Sequence, residues 1–277
     1  VEIIVVDDAS VDRTAEVCGR LEGIKYIRVE RNRGVAGARN LGLLASAADY
    51  VSFLDDDDVR LPGSLDVQLA ALAAAPDAGM VYGQMFPGDR DCAATGEAHP
   101  THCPQGDVFW NLLELNFIPC GAVVFRKSCL TRVGLLDESI AGVDDWDLWI
   151  RIAELYGVRA LLQPVIIWRQ SGFESGQLSS QTARMITLSA HLLRSKWLAL
   201  PRAAAATARQ REAIWHRYRT GGTHYLLWQT AQAFQQGCYR QACRNIFAAL
   251  RFNPAEVARS IFHPATLNFC ASALSHK

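Results

Sequence analysis

Tyr50-Val51-Ser52-Phe53-Leu54-Asp55-Asp56-Asp57-Asp58 is an apolar run that ends in four consecutive carboxylates, and Val59-Arg60-Leu61-Pro62 follows it. The first five residues alternate and branch as a buried strand does. Like charges at close range repel and raise one another's pKa, so folding alone has no use for such a cluster. A hard divalent cation, Mg2+ or Mn2+, bound through oxygen together with a phosphorylated molecule is the simplest compensation. A solvated turn is the alternative, because Asp is a common turn residue. The strand that leads directly into the cluster favours the cation.

Upstream of this stretch the chain repeats one rhythm. Glu2-Ile3-Ile4-Val5-Val6 runs into Asp7-Asp8-Ala9-Ser10, and Asp12-Arg13-Thr14 opens a helix-like segment to about Leu21. Lys25 to Val29 is a second strand candidate, and residues 35–48 read as an Ala- and Leu-rich helix. Strand, helix, strand, helix, strand is the pattern of a mostly parallel α/β sheet, which binds ligands beyond the carboxyl ends of its strands. Both acidic clusters fall at such ends.

Downstream, a helix is predicted over 63–75, a strand over 79–86, an irregular loop over 87–107 and a strand over 118–126. A helix with an acidic start opens near Val143, carrying Leu148, Ile152 and Leu155 on one face. Val158 to Trp168 is the last strand. Helices are then predicted over 182–200, 203–219, 223–236 and 239–251, with breaks near Pro201, Gly221-Gly222, Gly237 and Pro254. Residues 231–254 resemble one tetratricopeptide-like hairpin, a single copy where stacking needs about three.

The 277 residues carry no net charge, half of them are hydrophobic, and the charge is divided unevenly. Residues 1–180 hold 26 acidic and 15 basic side chains, and residues 181–277 hold 2 and 13. An acidic front of 1–180 and a basic helical back of 181–277 suggest two tasks. A solvated basic face accounts for the tail, and contact with an anionic membrane accounts for it equally. Its arginines lie among apolar helix positions, without the Gly- or aromatic-rich loops of nucleic-acid binders. The eight cysteines include no CxxC pair, which points to reduced thiols and a cytoplasmic setting, peripheral to the membrane where the tail touches it. Cys92, His99, His102 and Cys103 do not match a usual zinc spacing. No apolar stretch is long enough to span a bilayer, and no signal peptide opens the chain. Val1 already lies in a strand-like run, so the true start is expected upstream.

Taken together, four motifs resemble the family 2 glycosyltransferases of the GT-A fold. They are Val5-Val6-Asp7-Asp8-Ala9-Ser10 with Asp12-Arg13-Thr14; Asn32-Arg33-Gly34 leading to Ala38-Arg39-Asn40-Leu41-Gly42; Phe53 to Asp58; and Asp144-Asp145-Trp146-Asp147-Leu148-Trp149-Ile150-Arg151. The likeness covers roughly residues 1–175, without the family's opening strand and first helix. It implies an inverting, metal-dependent transferase that moves a sugar from a nucleotide-diphosphate donor, most simply a UDP-sugar. The acceptor would be a hydroxyl of a polysaccharide, a lipid-linked glycan or a protein.

The same resemblance distributes roles. Asp8 would accept from the base, while Asp7, Ser10 and Thr14 brace the turn and cap the helix. Arg39 and Asn40 would shape the uridine and diphosphate side. Asp57 would be the direct ligand of Mn2+ or Mg2+ and Asp56 the ribose or second metal contact, with Asp55 and Asp58 left as candidates by the ambiguous register. Asp145 would be the general base, kept ionised by the helix dipole. Trp146 and Trp149 are candidates to stack on a sugar, and Trp149 equally reads as core. Where relatives carry Tyr-Arg-x-His, this chain reads Trp168-Arg169-Gln170-Ser171, so Ser171 replaces a metal-binding His while Arg169 can face the diphosphate. Two other readings fit parts of the chain. Asp55 to Val59 matches the nucleophile motif of haloacid-dehalogenase-like phosphatases, and a nucleotide-sugar-binding scaffold without turnover would also use these sites.

Overall fold

Alternating strand and helix carry the chain from Ile3 to the aspartate run. The computed structural model describes residues 1–170 and 181–261. Val1–Leu112 with Asn116–Gln170 form one compact unit, and Leu113–Leu115 with the described residues beyond Gln170 form a second. In the first unit the order is β1 (Ile3–Asp7), α1 (Thr14–Cys18), β2 (Ile24–Arg28), α2 (Gly34–Ala45), β3 (Tyr50–Val51), β4 (Val59–Arg60), α3 (Ser64–Ala73), β5 (Ala78–Gly88), α4 (Phe109–Glu114), β6 (Val123–Arg126), α5 (Leu130–Val133), α6 (Asp144–Leu155) and β7 (Gly157–Arg169).

β1 and β2 form a parallel pair in the register Ile3 to Ile24 through Asp7 to Arg28. The other five strands form one sheet in the order β3-β6-β5-β7-β4. This sheet corrects the expectation of mostly parallel strands. β5 and β7 are parallel, but β3–β6, β5–β6 and β4–β7 are antiparallel. Direction depends on which edge a strand joins, and two of these pairings involve two-residue strands too short to mark themselves in the sequence. The strand expected over 118–126 begins only at Val123, after a 3-10 turn at Cys120–Ala122.

The core beneath the aspartates is aromatic. Phe53, Phe125 and Trp149 are buried, with ring centroids 5.6, 5.7 and 6.5 Å apart. On α6, Leu148 and Ile152 are buried as expected, but Leu155 lies 40% exposed at the helix end. β5 and β7 approach closely around Gly83. A Cβ there would lie 2.6 Å from Val165 Cγ1 and 3.1 Å from the Gln163 carbonyl.

The second unit contains α7 (Thr182–Ser195), α8 (Pro201–Ala204), α9 (Ala208–Gln235), α10 (Tyr239–Phe252) and α11 (Pro254–Ile261). The break expected at Gly221-Gly222 is absent, and α9 runs through it. Two interior glycines weaken a helix by about 1 kcal/mol each, but a Cβ on Gly222 would lie 3.2 Å from Phe252 Cε1 and 3.5 Å from Ile186 Cγ2. The glycine therefore admits α7 and α10 to the flank of α9. A reciprocal capping box between Thr207 and Gln210 starts the helix. No helix among the described residues is long and apolar enough to cross a membrane.

Gly83→Ala is expected to lower unfolding stability by about 1–3 kcal/mol, the usual range for overpacking. Urea denaturation followed by far-UV circular dichroism measures it.

Candidate active site

The first acidic cluster is held by its own strand pair. Asp7, buried at the end of β1, accepts from Ser10 N at 2.7 Å, from the Tyr26 hydroxyl, and from Arg28 Nη1 at 2.8 Å. Those hydrogen bonds, led by Tyr26 and Ser10 and helped by the Arg28 charge, hold its carboxyl at about 2. Asp7 is thus a permanent brace. Asp12, one residue before the N-cap Arg13 of α1, accepts from Thr14 N at 2.9 Å and from Thr14 Oγ1. Ala9 adopts φ 64°, a conformation that a β-carbon disfavours, in the turn that presents Asp8.

Asp8 carries a structural load. Its two oxygens accept from Arg33 N at 2.7 Å and Gly34 N at 2.8 Å, so they cap the first amides of α2 from outside the helix. An ionised carboxylate offers about four acceptor positions, which leaves Asp8 capacity toward a base. Arg39 lies five residues further along α2, about 7 Å of helix rise.

Arg39 joins the other two clusters. Its Nη2 donates to Asp55 Oδ1 at 2.7 Å and its Nη1 to Asp144 Oδ2 at 3.0 Å, while the guanidinium lies 5.3 Å from the centroid of the Phe53 ring. The side chain is 12% exposed, so this is an interior bridge and not the surface ion pair that a helix arginine usually makes. Asn40 corrects the expectation that it faces the nucleotide. Its amide donates to the Leu136 carbonyl and Glu138 Oε1, and its oxygen accepts from Leu136 N. Both ends of the amide are committed to the loop before α6.

The aspartate run turns immediately after Leu54. Asp58 N donates to the Asp55 carbonyl at 3.1 Å, leaving Asp55 and Asp56 exposed and Asp57 and Asp58 half-buried. Arg169, at the end of β7, clasps this turn. Its backbone N–H donates to Asp58 Oδ1 at 3.0 Å and its Nε to the Asp57 carbonyl at 2.7 Å. Burial first, then repulsion from Asp57 and Asp55, raises the Asp58 carboxyl to about 7. Ser171 lies outside the described residues.

Asp144 and Asp145 open α6, as the sequence indicates. The helix start does not make Asp145 more acidic than a free aspartate, although it still ionises below neutral pH. Desolvation raises its carboxyl to about 6, Arg39 opposes that rise, and Asp144 adds to it. Asp145 Oδ1 accepts from Trp146 N at 2.7 Å. Trp146 and Trp149 are buried, and Trp146 Nε1 donates to the Leu112 carbonyl, so neither presents a face to a sugar. Cys120 was missed by the sequence reading. Burial lifts its thiol well above the usual value; Arg39 opposes this, and Asp145, Asp55 and Asp144 reinforce it, so a neutral thiol lies within electrostatic reach of them all. Only the Pro119-Cys120-Gly121 turn before a strand hinted at it.

For a divalent cation, the hard oxygen donors of Asp55 to Asp58 have the right chemistry, and their mutual repulsion is what bound positive charge relieves. Among the described residues no three His, Cys, Asp or Glu side chains converge on one point. The seven described cysteines are free thiols.

Comparison with known proteins agrees with this geometry. The glycosyl transferase family 2 model matches residues 1–131. An uncharacterised glycosyltransferase of Haemophilus influenzae is 26% identical over 156 residues, covering 55% of this chain and 52% of that protein. A pre-mycofactocin glycosyltransferase of Mycobacterium tuberculosis is 28% identical over 178 residues, covering 60% and 36%. The chain therefore spans about half or less of these two relatives. Among solved structures, S. aureus TarS 1-349 in complex with UDP-GlcNAc matches with TM-score 0.53 at 12% identity, over 95% of this chain and 84% of that one. The mannosyltransferase PcManGT of Pyrobaculum calidifontis, in complex with GDP-Man and Mn2+, matches with TM-score 0.53 at 17% identity, over 99% and 76%. These likenesses establish the fold.

Arg39→Met is expected to cost about 3–5 kcal/mol, because it leaves Asp144 buried without its partner. Adding Asp144→Asn should recover part of that loss, and a double-mutant cycle by chemical denaturation measures the coupling.

Proposed function

We propose, from the match of residues 1–131 to the glycosyl transferase family 2 model and from the GT-A fold, that the chain is an inverting, metal-dependent glycosyltransferase. The donor in this reading is a nucleoside-diphosphate sugar, UDP-linked in the simplest case, and the acceptor is a hydroxyl of a polysaccharide, lipid-linked glycan or protein. One observation carries the reading: Arg39 ties Asp55, in the turn that follows β3, to Asp144, beside Asp145 at the start of a helix. A carboxylate cluster suited to a cation-bound diphosphate is thereby tied to the residue beside a desolvated carboxyl suited to proton transfer, which lies within electrostatic reach of the same guanidinium.

In this scheme Asp8 uses its remaining lone pairs to accept from the base. Asp56 contacts the ribose or a metal, Asp57 is the direct metal ligand, Asp55 stays on Arg39, and Arg169 braces the turn and faces the diphosphate. Mn2+ or Mg2+, when bound, neutralises charge that develops on the departing nucleoside diphosphate. Two carboxylates suffice for such an ion, because diphosphate oxygens and water complete the shell. The fold neighbour solved with GDP-Man and Mn2+ supports this pairing of ligands, and the one solved with UDP-GlcNAc supports the donor class. Asp145 takes the proton of the acceptor hydroxyl as that oxygen attacks the anomeric carbon. The bond from that carbon to the diphosphate oxygen breaks on the opposite face, and the nucleoside diphosphate leaves with the electron pair. A base with a pKa near 6 stays ionised at neutral pH, yet binds a proton more strongly than an ordinary aspartate.

Asp145→Asn is expected to reduce transfer at least about a hundredfold while UDP binding persists, as read by product formation and thermal shift. Loss of UDP binding in that variant would contradict the role. Because the base must be deprotonated, activity should rise with pH through about 6, where Asp145 titrates, and not near 4. A pH profile of kcat/KM locates that limb. Asp57→Asn should abolish the additional thermal shift that Mn2+ gives in the presence of UDP.

A further inference from the structure

The second unit bears an apolar stripe that its own packing leaves uncovered. On α10, Tyr239, Cys243, Phe247 and Leu250 are exposed, with Phe247 at 65%. At 100° per residue these four fall within an arc of about 80°. Ala242, Asn245 and Ala249 are buried on a different arc, so the stripe is not the face packed into the helical core. Phe234, near the end of α9, extends it: it is 50% exposed and its ring meets Tyr239 edge-on at 5.3 Å.

Charge selects the occupant. Arg240, Arg244 and Arg251 occupy the adjoining arc of α10, and all three are exposed. No acidic residue occurs between Tyr239 and Phe252, and among the described residues none of the three arginines is paired with a carboxylate. A second copy of the chain would bring the same arginines against one another. A surface that is negative at the headgroups and apolar just beneath matches both arcs at once.

We propose that α10, with Phe234, is a docking surface for an anionic lipid bilayer, with Phe234, Tyr239, Phe247 and Leu250 entering the interface and Arg240, Arg244 and Arg251 on the headgroups. The inference is independent of the transferase reading, because it uses none of the residues assigned to the reaction.

Sedimentation of the full chain with vesicles tests it. Binding is expected to vesicles of phosphatidylcholine mixed with phosphatidylglycerol, at least about tenfold more strongly than to pure phosphatidylcholine, and to weaken as salt rises. Phe247→Glu and, separately, the pair Arg244→Glu and Arg251→Glu should each abolish it. These positions are exposed, so folding should survive, as circular dichroism would verify. UDP binding in solution should be unchanged, so failure here is distinguishable from failure of the proposed chemistry. The proposal is overturned if the full chain ignores anionic vesicles, or if the variants bind as well as the parent. It is equally overturned if the substitutions instead dissolve a concentration-dependent dimer, which would make a second copy the occupant.

Discussion

One guanidinium between two carboxylates organises the acidic first unit of this molecule. Arg39 reaches Asp55, sixteen residues away in sequence, and Asp144, more than a hundred away. Neither partner belongs to the helix that carries it, so the bridge fixes the relative placement of α2, the aspartate turn and the start of α6. Such interior bridges contribute little net stability, because desolvation offsets most of the attraction, and their worth lies in geometry. The geometry here serves protonation too. Remove the positive charge and Asp145, already raised by burial, would rise further. Position and acidity at the helix start therefore depend on the same contact.

Four carboxylates of similar intrinsic acidity are thereby separated by their surroundings. Asp7, satisfied by donors, is held near 2 and acts as scaffold. Asp145, desolvated beside a cation, sits near 6, and Asp58, desolvated beside like charge, sits near 7. Asp8 spends both oxygens on the amides that open α2. Such divergence of environment is how one residue type comes to carry several acidities within one fold.

How much of this was legible follows from which interactions are local. The aspartate run, the helix start at Asp144, and the strands around residues 80 and 160 announce themselves through periodicity and punctuation, and they lie where expected. Strand direction did not show, because whether β6 runs parallel or antiparallel to β5 depends on which edge it joins, a non-local choice. Asn40 looked like a ligand because its neighbour is charged, yet its amide is committed to Leu136 and Glu138, about a hundred residues on. Gly221-Gly222 looked like a break because propensity ignores Phe252, whose ring occupies the space a side chain would need. Ser171, the position of the absent His, lies outside the described residues.

A second arginine explains why the aspartate turn can hold its shape despite its charge. Arg60, just beyond the run, donates to Ser52 Oγ before it, to Gln68 Oε1 on α3 at 2.8 Å, and to the Gly121 carbonyl at 2.7 Å. All its partners are neutral oxygens, so its charge is not cancelled by an ion pair at those contacts. A half-buried cation of this kind is costly alone; burial pulls its pKa down. Its donors offset that cost and pin Ser52, α3 and the Cys120–Ala122 turn together. Arg39 and Arg60 thus act differently on the run: one engages its carboxylate Asp55, and the other engages neutral oxygens of Ser52, Gln68 and Gly121 that flank it. A cation arriving from solvent with a diphosphate would meet a turn already held in place, so its binding need not include the cost of folding the loop around it.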